Sequence, residues 1–166
     1  MKINQILLAV IMTMFTACSK KEDVSPSGND NVKVYIYGSK TFTGATEYAI
    51  SDISQIMMDS SLVLAYYNPS SESPTTWYPV PGLGSGSLYE TRGYVYKSVV
   101  TPNTYSYTVK LVDSWDNTTS YATPVTFTKF KVFIIPASTV VKVQRKGTSP
   151  DVSDYDAVKE YYNISE

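Results

Sequence analysis

The sequence predicts a mainly β protein, an antiparallel β-sandwich of Ig-like or jelly-roll-like form with a short C-terminal helix. After residue 32, apolar and polar residues alternate with period two, as in strands that have one buried face. These segments are rich in Tyr, Thr and Val, and clusters of Asn, Asp, Pro, Ser and Gly separate them. A helical pattern follows only after the last predicted strand, so strands and helices do not alternate as they would in a parallel sheet.

Residues 1–17 have the pattern of a cleaved signal peptide. A basic Lys2 precedes a largely apolar run of ten residues, 6–15. This run is about half the length of a membrane-spanning helix and fits the hydrophobic region of a secretory signal. The signal peptide is therefore expected to be removed and to take no part in the fold.

The end of this segment resembles the lipobox of bacterial lipoproteins. Phe15, Thr16 and Ala17 precede Cys18, which is the only cysteine of the chain. In that family of signals the cysteine thiol receives a diacylglyceryl group, cleavage occurs just before the cysteine, and the freed amine is acylated. The resemblance implies an anchor of acyl chains such as palmitate on Cys18, with Phe15 standing where Leu is more common. The alternative is an ordinary signal peptide with an incidental cysteine.

The residues after Cys18, up to residue 31, are polar and contain Pro and Gly without apolar periodicity. They predict a flexible tether that reaches at most about 45 Å when fully extended. Its beginning resembles the short acidic export signals that send lipoproteins of Bacteroidota to the outside of the outer membrane: Ser19, Lys20, Lys21, Glu22 and Asp23. The alternative is a spacer that faces the periplasm.

Residues 32–166 are predicted to form a single domain. Its first strands are expected at 32–37 and 62–67. The segment 76–81 is extended, but its prolines cannot donate to a strand ladder, so we expect it at a sheet edge or at a crossing between sheets. The Gly- and Ser-rich segment 82–87 is predicted to be a flexible connection.

The later strands alternate in the same way. They are predicted at 88–100, with a bulge at Gly93, and at 105–111, 130–135 and 141–143. Together with the earlier segments they give enough strands for two packed sheets.

The C-terminal helix is predicted at about 153–163. Ser153 can cap it, and Asp154 and Asp156 stand favourably in its first turn. Tyr155, Val158 and Tyr162 recur at helical spacing, so they are expected to dock this short helix on the sandwich.

Four blocks of the domain together resemble an uncharacterised family of small Bacteroidota lipoproteins. The blocks lie at 62–67, 77–81, 130–137 and 153–162. Members of that family have a lipobox, a polar or collagen-like tether, a β-domain with a Trp-Tyr-Pro-like segment and an ending of the Asp-Tyr-Xaa-Ala-Val type. This chain lacks the collagen-like tether. The family has no established activity, so the resemblance implies a location and a fold but no chemistry.

The composition excludes several classes of function. Fourteen Lys and Arg balance 15 Asp and Glu, so there is no basic excess to bind nucleic acid. The chain has no histidine, which excludes Ser-His-Asp and Cys-His nucleophiles and His-containing zinc sites. The acidic residues form no recognisable acid and base motif. We therefore expect no cofactor and no catalysis, and a hydrolase that uses carboxylates alone is the remaining enzymatic alternative.

The candidate ligand-contact residues are aromatic and lie beside turns or edges: Trp77, Tyr78 and Trp115. The alternative is a purely structural role, in which they fill the core and its rim. A weak metal candidate combines the oxygens of Asp113, Asp116 and Asn117, although Asp and Asn are also common in simple turns.

These patterns predict a lipid-anchored lipoprotein of a Gram-negative outer membrane that is displayed at the cell surface. Its domain is expected to bind a protein or glycan or to act as an accessory module without catalysis. One alternative is a structural subunit of a surface assembly that forms by strand-edge pairing. The other is the carboxylate-based hydrolase.

Overall fold

The computed structural model describes residues 31–144 and 149–165, and it confirms an antiparallel β-sandwich with a C-terminal helix. The strands are β1 (Lys33–Tyr37), β2 (Lys40–Phe42), β3 (Ala45–Ile50), β4 (Ser61–Pro69), β5 (Tyr78–Val80), β6 (Gly82–Leu83), β7 (Tyr89–Lys97), β8 (Tyr105–Asp113) and β9 (Val125–Pro136). The helices are α1 (Gln55–Asp59), α2 (Ala137–Gln144) and α3 (Tyr155–Tyr162). The predicted signal peptide and most of the tether lie outside the described residues.

Two sheets face each other. The five-stranded sheet has the order β1-β9-β4-β5, and β2 pairs with the early part of β9. The four-stranded sheet has the order β3-β8-β7-β6, and every pair in both sheets is antiparallel. As expected, the proline-containing strand β5 lies at an edge, where its missing N–H breaks no ladder.

Aromatic rings from both sheets fill the space between them. Tyr67 of β4 stacks on Phe127 of β9 with 3.9 Å between ring centroids. Across the sheets, Tyr48 of β3 stacks on Phe130 of β9 at 4.1 Å. Each such pair contributes about 0.5–1.5 kcal/mol to stability, in addition to the free energy gained by burying its apolar area.

Helix α3 covers the outer face of the five-stranded sheet. Its buried residues, Tyr155, Val158 and Tyr162, pack with Tyr66 and Phe133 of the sheet. The spacing therefore predicted the docking face correctly. The cap differs by one residue, because the carboxylate of Asp154, and not Ser153, accepts the N–H of Ala157 (2.9 Å).

Side chains of the five-stranded sheet close the free edge of β3. The hydroxyls of Tyr35 and Tyr37 donate to the carbonyl oxygens of Ser51 and Ala49, each at 2.7 Å. The ammonium of Lys40 donates to the carbonyl of Glu47 at 3.0 Å. These bonds occupy the backbone acceptors that another strand would need to pair with β3.

Several sequence predictions are wrong. The segment 141–143 belongs to α2 and not to a strand, because this part of the chain leaves β9 and packs toward α3 through Val140. The segment 82–87 is not a plain flexible connection, since it holds β6 and a 3-10 turn, Ser85–Ser87. The pattern also missed β2, β3 and α1, and the strand predicted at 88–100 ends at Lys97.

Gly93 forms no bulge, because its register with Val109 is regular. It is needed for a close approach instead. The phenol of Tyr107 crosses it to donate to the carbonyl of Val80 (3.1 Å), and a Cβ on Gly93 would stand 2.2 Å from the Tyr107 Oη. The bulge of these sheets lies at Asn68 and Pro69.

Gly93→Ala is expected to lower the free energy of unfolding by about 1–3 kcal/mol, the usual cost of overpacking a core. Urea unfolding followed by circular dichroism measures this change. The matched control is Gly38→Ala, at an exposed glycine without positive φ, which should leave stability nearly unchanged. Equal stability of the two variants would contradict the close approach of Tyr107.

Candidate binding site

The outer face of the four-stranded sheet carries exposed aromatic side chains. Alternation along β7 sends Thr91 and Val95 inward and Tyr94 and Tyr96 outward. The two tyrosines are 54% and 41% exposed, although large aromatic side chains usually lose most of their surface to packing. We call this surface the tyrosine face and define it by Glu47, Arg92, Tyr94, Tyr96 and Thr108.

The two exposed rings form a ridge that is held at one end. Their centroids are 6.5 Å apart and their planes are tilted by 36°. The hydroxyl of Tyr96 reaches across β8 and donates to the Glu47 carboxylate at 2.5 Å. This bond favours the neutral phenol and raises the pKa of Tyr96. The ridge thus presents ring surface and a carboxylate in a fixed arrangement.

A polar group without a partner lies in the middle of this face. Thr108 of β8 is in register with Tyr94 on one side and with Glu47 on the other. Its side chain is 3% exposed, and its Oγ1 has no hydrogen-bond partner within the described residues. Buried hydroxyls are normally satisfied, so this one is an exception; it lies beneath the exposed rings and presents almost no surface to a ligand.

Cationic side chains border the tyrosine face at the other end. Arg92 is in register with Lys110, and the Arg92 guanidinium donates to the backbone carbonyl of Asn117. This contact ties the face to the loop between β8 and β9. The face therefore offers rings, a carboxylate, a hydroxyl and a guanidinium, which suit the recognition of hydroxyl-rich or mixed polar and apolar partners.

Trp77 packs within the fold, while part of its side chain lines a cleft at the start of α3. Its ring is half-buried and stacks on Tyr155 of α3, with centroids 4.6 Å apart and planes 18° apart. The ammonium of Lys131, a 5% exposed residue, lies 4.3 Å from the centroid of the Trp77 ring and donates to the Tyr155 hydroxyl at 2.6 Å. Trp77 thus covers a buried cation and fastens α3 to the sheet.

Tyr78 also makes structural contacts within the domain. Its ring stacks on Tyr67, and its hydroxyl donates to the carboxylate of Glu72 at 2.7 Å. The Ser85 hydroxyl donates to the same oxygen at 2.6 Å. These two bonds, that of Ser85 above all, lower the pKa of Glu72. The carboxylate therefore holds the connection after β4 against the 3-10 turn.

Trp115 is the predicted aromatic residue that remains open. It stands in the loop between β8 and β9, it is 91% exposed, and its ring stacks on no other ring among residues 31–144 and 149–165. The loop also carries Asn117, which Arg92 contacts. Trp115 therefore belongs to the loop that borders the tyrosine face.

The weak metal candidate is a set of turns. The carboxylate of Asp113 accepts the N–H of Trp115, and that of Asp116 accepts the N–H groups of Thr118 and Thr119, all at 2.9 Å. The Thr119 hydroxyl donates to the second Asp116 oxygen at 2.5 Å. Asn117 adopts a left-handed turn conformation (φ 54°). Within the described ranges, no group of three or more acidic, His or Cys residues could hold a metal ion.

An acidic cleft of about 460 Å³ lies where α3 begins. Its lining residues are Thr75, Trp77, Asp151, Ser153, Asp154, Tyr155 and Asp156. Two of its three aspartates have local structural bonds, since Asp154 caps α3 and Asp151 accepts the N–H and the hydroxyl of Ser153. The two bonds from Ser153 lower the pKa of Asp151, whereas a carboxyl that acts as a general acid needs a raised pKa.

Sequence reasoning missed the tyrosine face. The signal was present, because Arg92, Tyr94 and Tyr96 share one phase of the alternation. The alternation does not predict which sheet face α3 covers.

The lipobox residues 15–18 and the export segment 19–23 lie outside the described residues, so their roles stay predictions. No helix in the described part of the chain has the length and apolar character needed to cross a bilayer. Compared with protein-family models, with curated proteins and with solved structures, the chain matches none of them.

Asp116 is expected to titrate far below an ordinary aspartate. Hydrogen bonds from Thr119 and from the Thr118 N–H lower its pKa to about 2. A depressed folded-state pKa means that the carboxylate supports the loop above pH of about 4, the unfolded value, and that this support is lost as pH falls through about 2. A titration of the side-chain carboxyl carbon by NMR measures the midpoint.

Thr119→Val removes the largest cause and should move the Asp116 midpoint up toward the ordinary value. A midpoint near 4 in the unsubstituted protein, or no change in the variant, would contradict this loop geometry.

Proposed function

We propose that the chain is a lipid-anchored outer-membrane lipoprotein whose domain is a non-catalytic binding or accessory module at the cell surface. The anchor is proposed from the sequence, because the single cysteine stands where a lipobox would require it. Two or three acyl chains hold a protein at a membrane far more durably than one chain does. The domain then meets its partner at a raised effective concentration.

The observation that carries the binding role is the tyrosine face. The outer face of the five-stranded sheet is covered by α3, whereas the outer face of the four-stranded sheet carries two exposed rings beside Glu47. Exposed aromatic rings beside fixed polar groups are typical of binding surfaces for proteins and for glycans.

The strand-pairing alternative is less well supported. Side chains occupy the edge acceptors of β3, β5 contains Pro79 and has three residues, and β6 has two. Such edges are poor templates for a strand from another chain. The hydrolase alternative is also less well supported, because the carboxylates of Asp151 and Asp154 serve a turn and a helix cap.

Cys18→Ala is expected to abolish labelling of the protein by an alkyne analogue of palmitate and to release it from the membrane fraction. Ser19→Ala, next to the modified position, is the matched control and should retain both. Persistent membrane attachment of unlabelled Cys18→Ala protein would contradict the anchor.

On intact cells, added protease is expected to remove a C-terminal epitope tag from the full-length protein while a periplasmic control protein survives. Loss of the tag only after permeabilisation would contradict surface display and would point to periplasmic partners instead.

Replacing both rings, Tyr94→Ala with Tyr96→Ala, is expected to weaken binding about ten-fold or more, because central aromatic contacts dominate interface energies. Two assays measure it: binding of the detergent-solubilised protein to a glycan array, and photocrosslinking on living cells from a benzophenone amino acid at position 110, whose residue is in register with Arg92. Leu88→Ala, an exposed apolar residue outside the face, is the control and should leave binding unchanged. Binding that survives the double change would contradict the assignment of this face.

A further inference from the structure

One end of the sandwich, which we call the tether end, combines the start of the domain with exposed apolar residues. The described chain starts at Asn31, and the ammonium of Lys33 donates to the carbonyl of Asp52 at 2.5 Å, just before α1. Strand pairing brings the loop between β7 and β8, Ser98–Thr104, to the same end, because Lys97 pairs with Tyr105 and Tyr105 with Ile50.

Side-chain and backbone contacts join these segments. The N–H of Ile53 donates to the carbonyl of Asn103 at 3.4 Å, and the ammonium of Lys97 donates to the Gln55 side chain at 2.8 Å. Helix α1 and the β7–β8 loop therefore form one surface next to the point where the tether leaves.

The apolar residues of this surface face outward. Val99 is fully exposed, Val100 is 85% exposed and Ile56 of α1 is 83% exposed. No charged residue lies between positions 98 and 104. The three side chains lie on two segments that are joined by hydrogen bonds, so one end of the sandwich carries them together. Exposed apolar surface that is gathered at one place marks a contact surface.

The loop is built in a way that keeps the valines exposed. The N–H of Ser98 donates to the carbonyl of Thr104 at 2.8 Å, and the Ser98 hydroxyl accepts the N–H groups of Val100 and Thr101 at 3.3 and 3.1 Å. These bonds fix the loop without folding either valine back onto the sandwich.

We propose that Val99, Val100 and Ile56 form a tip that dips into the lipid surface to which Cys18 is attached. This proposal rests on the proposed lipid anchor. The tether of thirteen residues spans about 20 Å on average if it is flexible. Because it leaves from the tether end, the tip is turned toward the anchoring membrane, while the opposite end is about 30 Å farther away along the nine residues of β7.

The charges at this end favour a lipid surface without selecting strongly for anionic lipid. Lys33 and Lys97 are offset by Asp52 and Asp59. A tip of three aliphatic side chains binds a bilayer only weakly when free in solution, and tethering raises its effective concentration into the range where such a contact forms.

The test uses lipidated full-length protein in vesicles of phosphatidylethanolamine and phosphatidylglycerol, with a tryptophan placed in the tip by Val100→Trp. Brominated acyl chains quench tryptophan fluorescence on contact. The matched control is Leu88→Trp, at an exposed residue just before β7 begins, at the end opposite the tip. Both variants also carry Trp115→Phe, which removes the other exposed indole. Circular dichroism checks that each variant is folded.

The expected result is a blue-shifted Val100→Trp emission that brominated lipid quenches several-fold more than Leu88→Trp emission, with little dependence on salt. Equal quenching in lipidated protein would overturn the tip and leave the anchor standing. A blue shift without bromine quenching, together with crosslinks between copies, would assign the patch to a second copy of the chain. Absence of palmitate labelling would overturn the anchor first and the tip with it.

Discussion

Buried tyrosines impose the main constraint on this domain, because each buries an apolar ring together with a hydroxyl that loses its contact with water; several of these hydroxyls have partners within the fold, whereas those of Tyr48 and Tyr105 have none among the described residues. Tyr67 and Tyr89 bond to each other at 3.1 Å, and Tyr107 donates to the backbone of Val80. Burial raises the pKa of Tyr67 and of Tyr107, so these phenols remain neutral hydrogen-bond donors. Without a disulfide available from one cysteine, stability has to come from this packing.

The same requirement shapes the periphery. Tyr35 and Tyr37 extend past the core and give their hydroxyls to the edge of β3, and desolvation raises the pKa of Tyr35 to about 12. These hydrogen bonds therefore have two effects. They give the phenol hydroxyls an acceptor, and they occupy the open edge of β3. The tyrosine face differs, since Tyr94 and Tyr96 lie outside the core and leave ring surface in contact with solvent.

Period-two alternation was sufficient to predict the sandwich, and β8 shows it most clearly, because Tyr105, Tyr107, Val109 and Leu111 share one buried phase. It failed where the pattern was short or ambiguous. In β3 the phase of Thr46, Tyr48 and Ile50 alternates with two alanines and Glu47, which gives little contrast. The β-branched residues in the sequence of α2 are typical of a strand, and only the packing of Val140 on the cluster that contains α3 distinguishes the two. The tyrosine face depends on which sheet α3 covers, and that is a tertiary property that no local pattern contains.

The pairing of β1 has a consequence for how the chain acquires its structure. Among the described residues, β1 pairs with β9 alone, about a hundred residues later in sequence, and β4 also needs β9 for most of its pairing. The five-stranded sheet is therefore a long-range assembly with high contact order, which closes only when nearly the whole domain has been synthesised. Until then, the early strands lack the partner that satisfies their backbone N–H and C=O groups, so a chain truncated before β9 is expected to leave these edges open to aggregation.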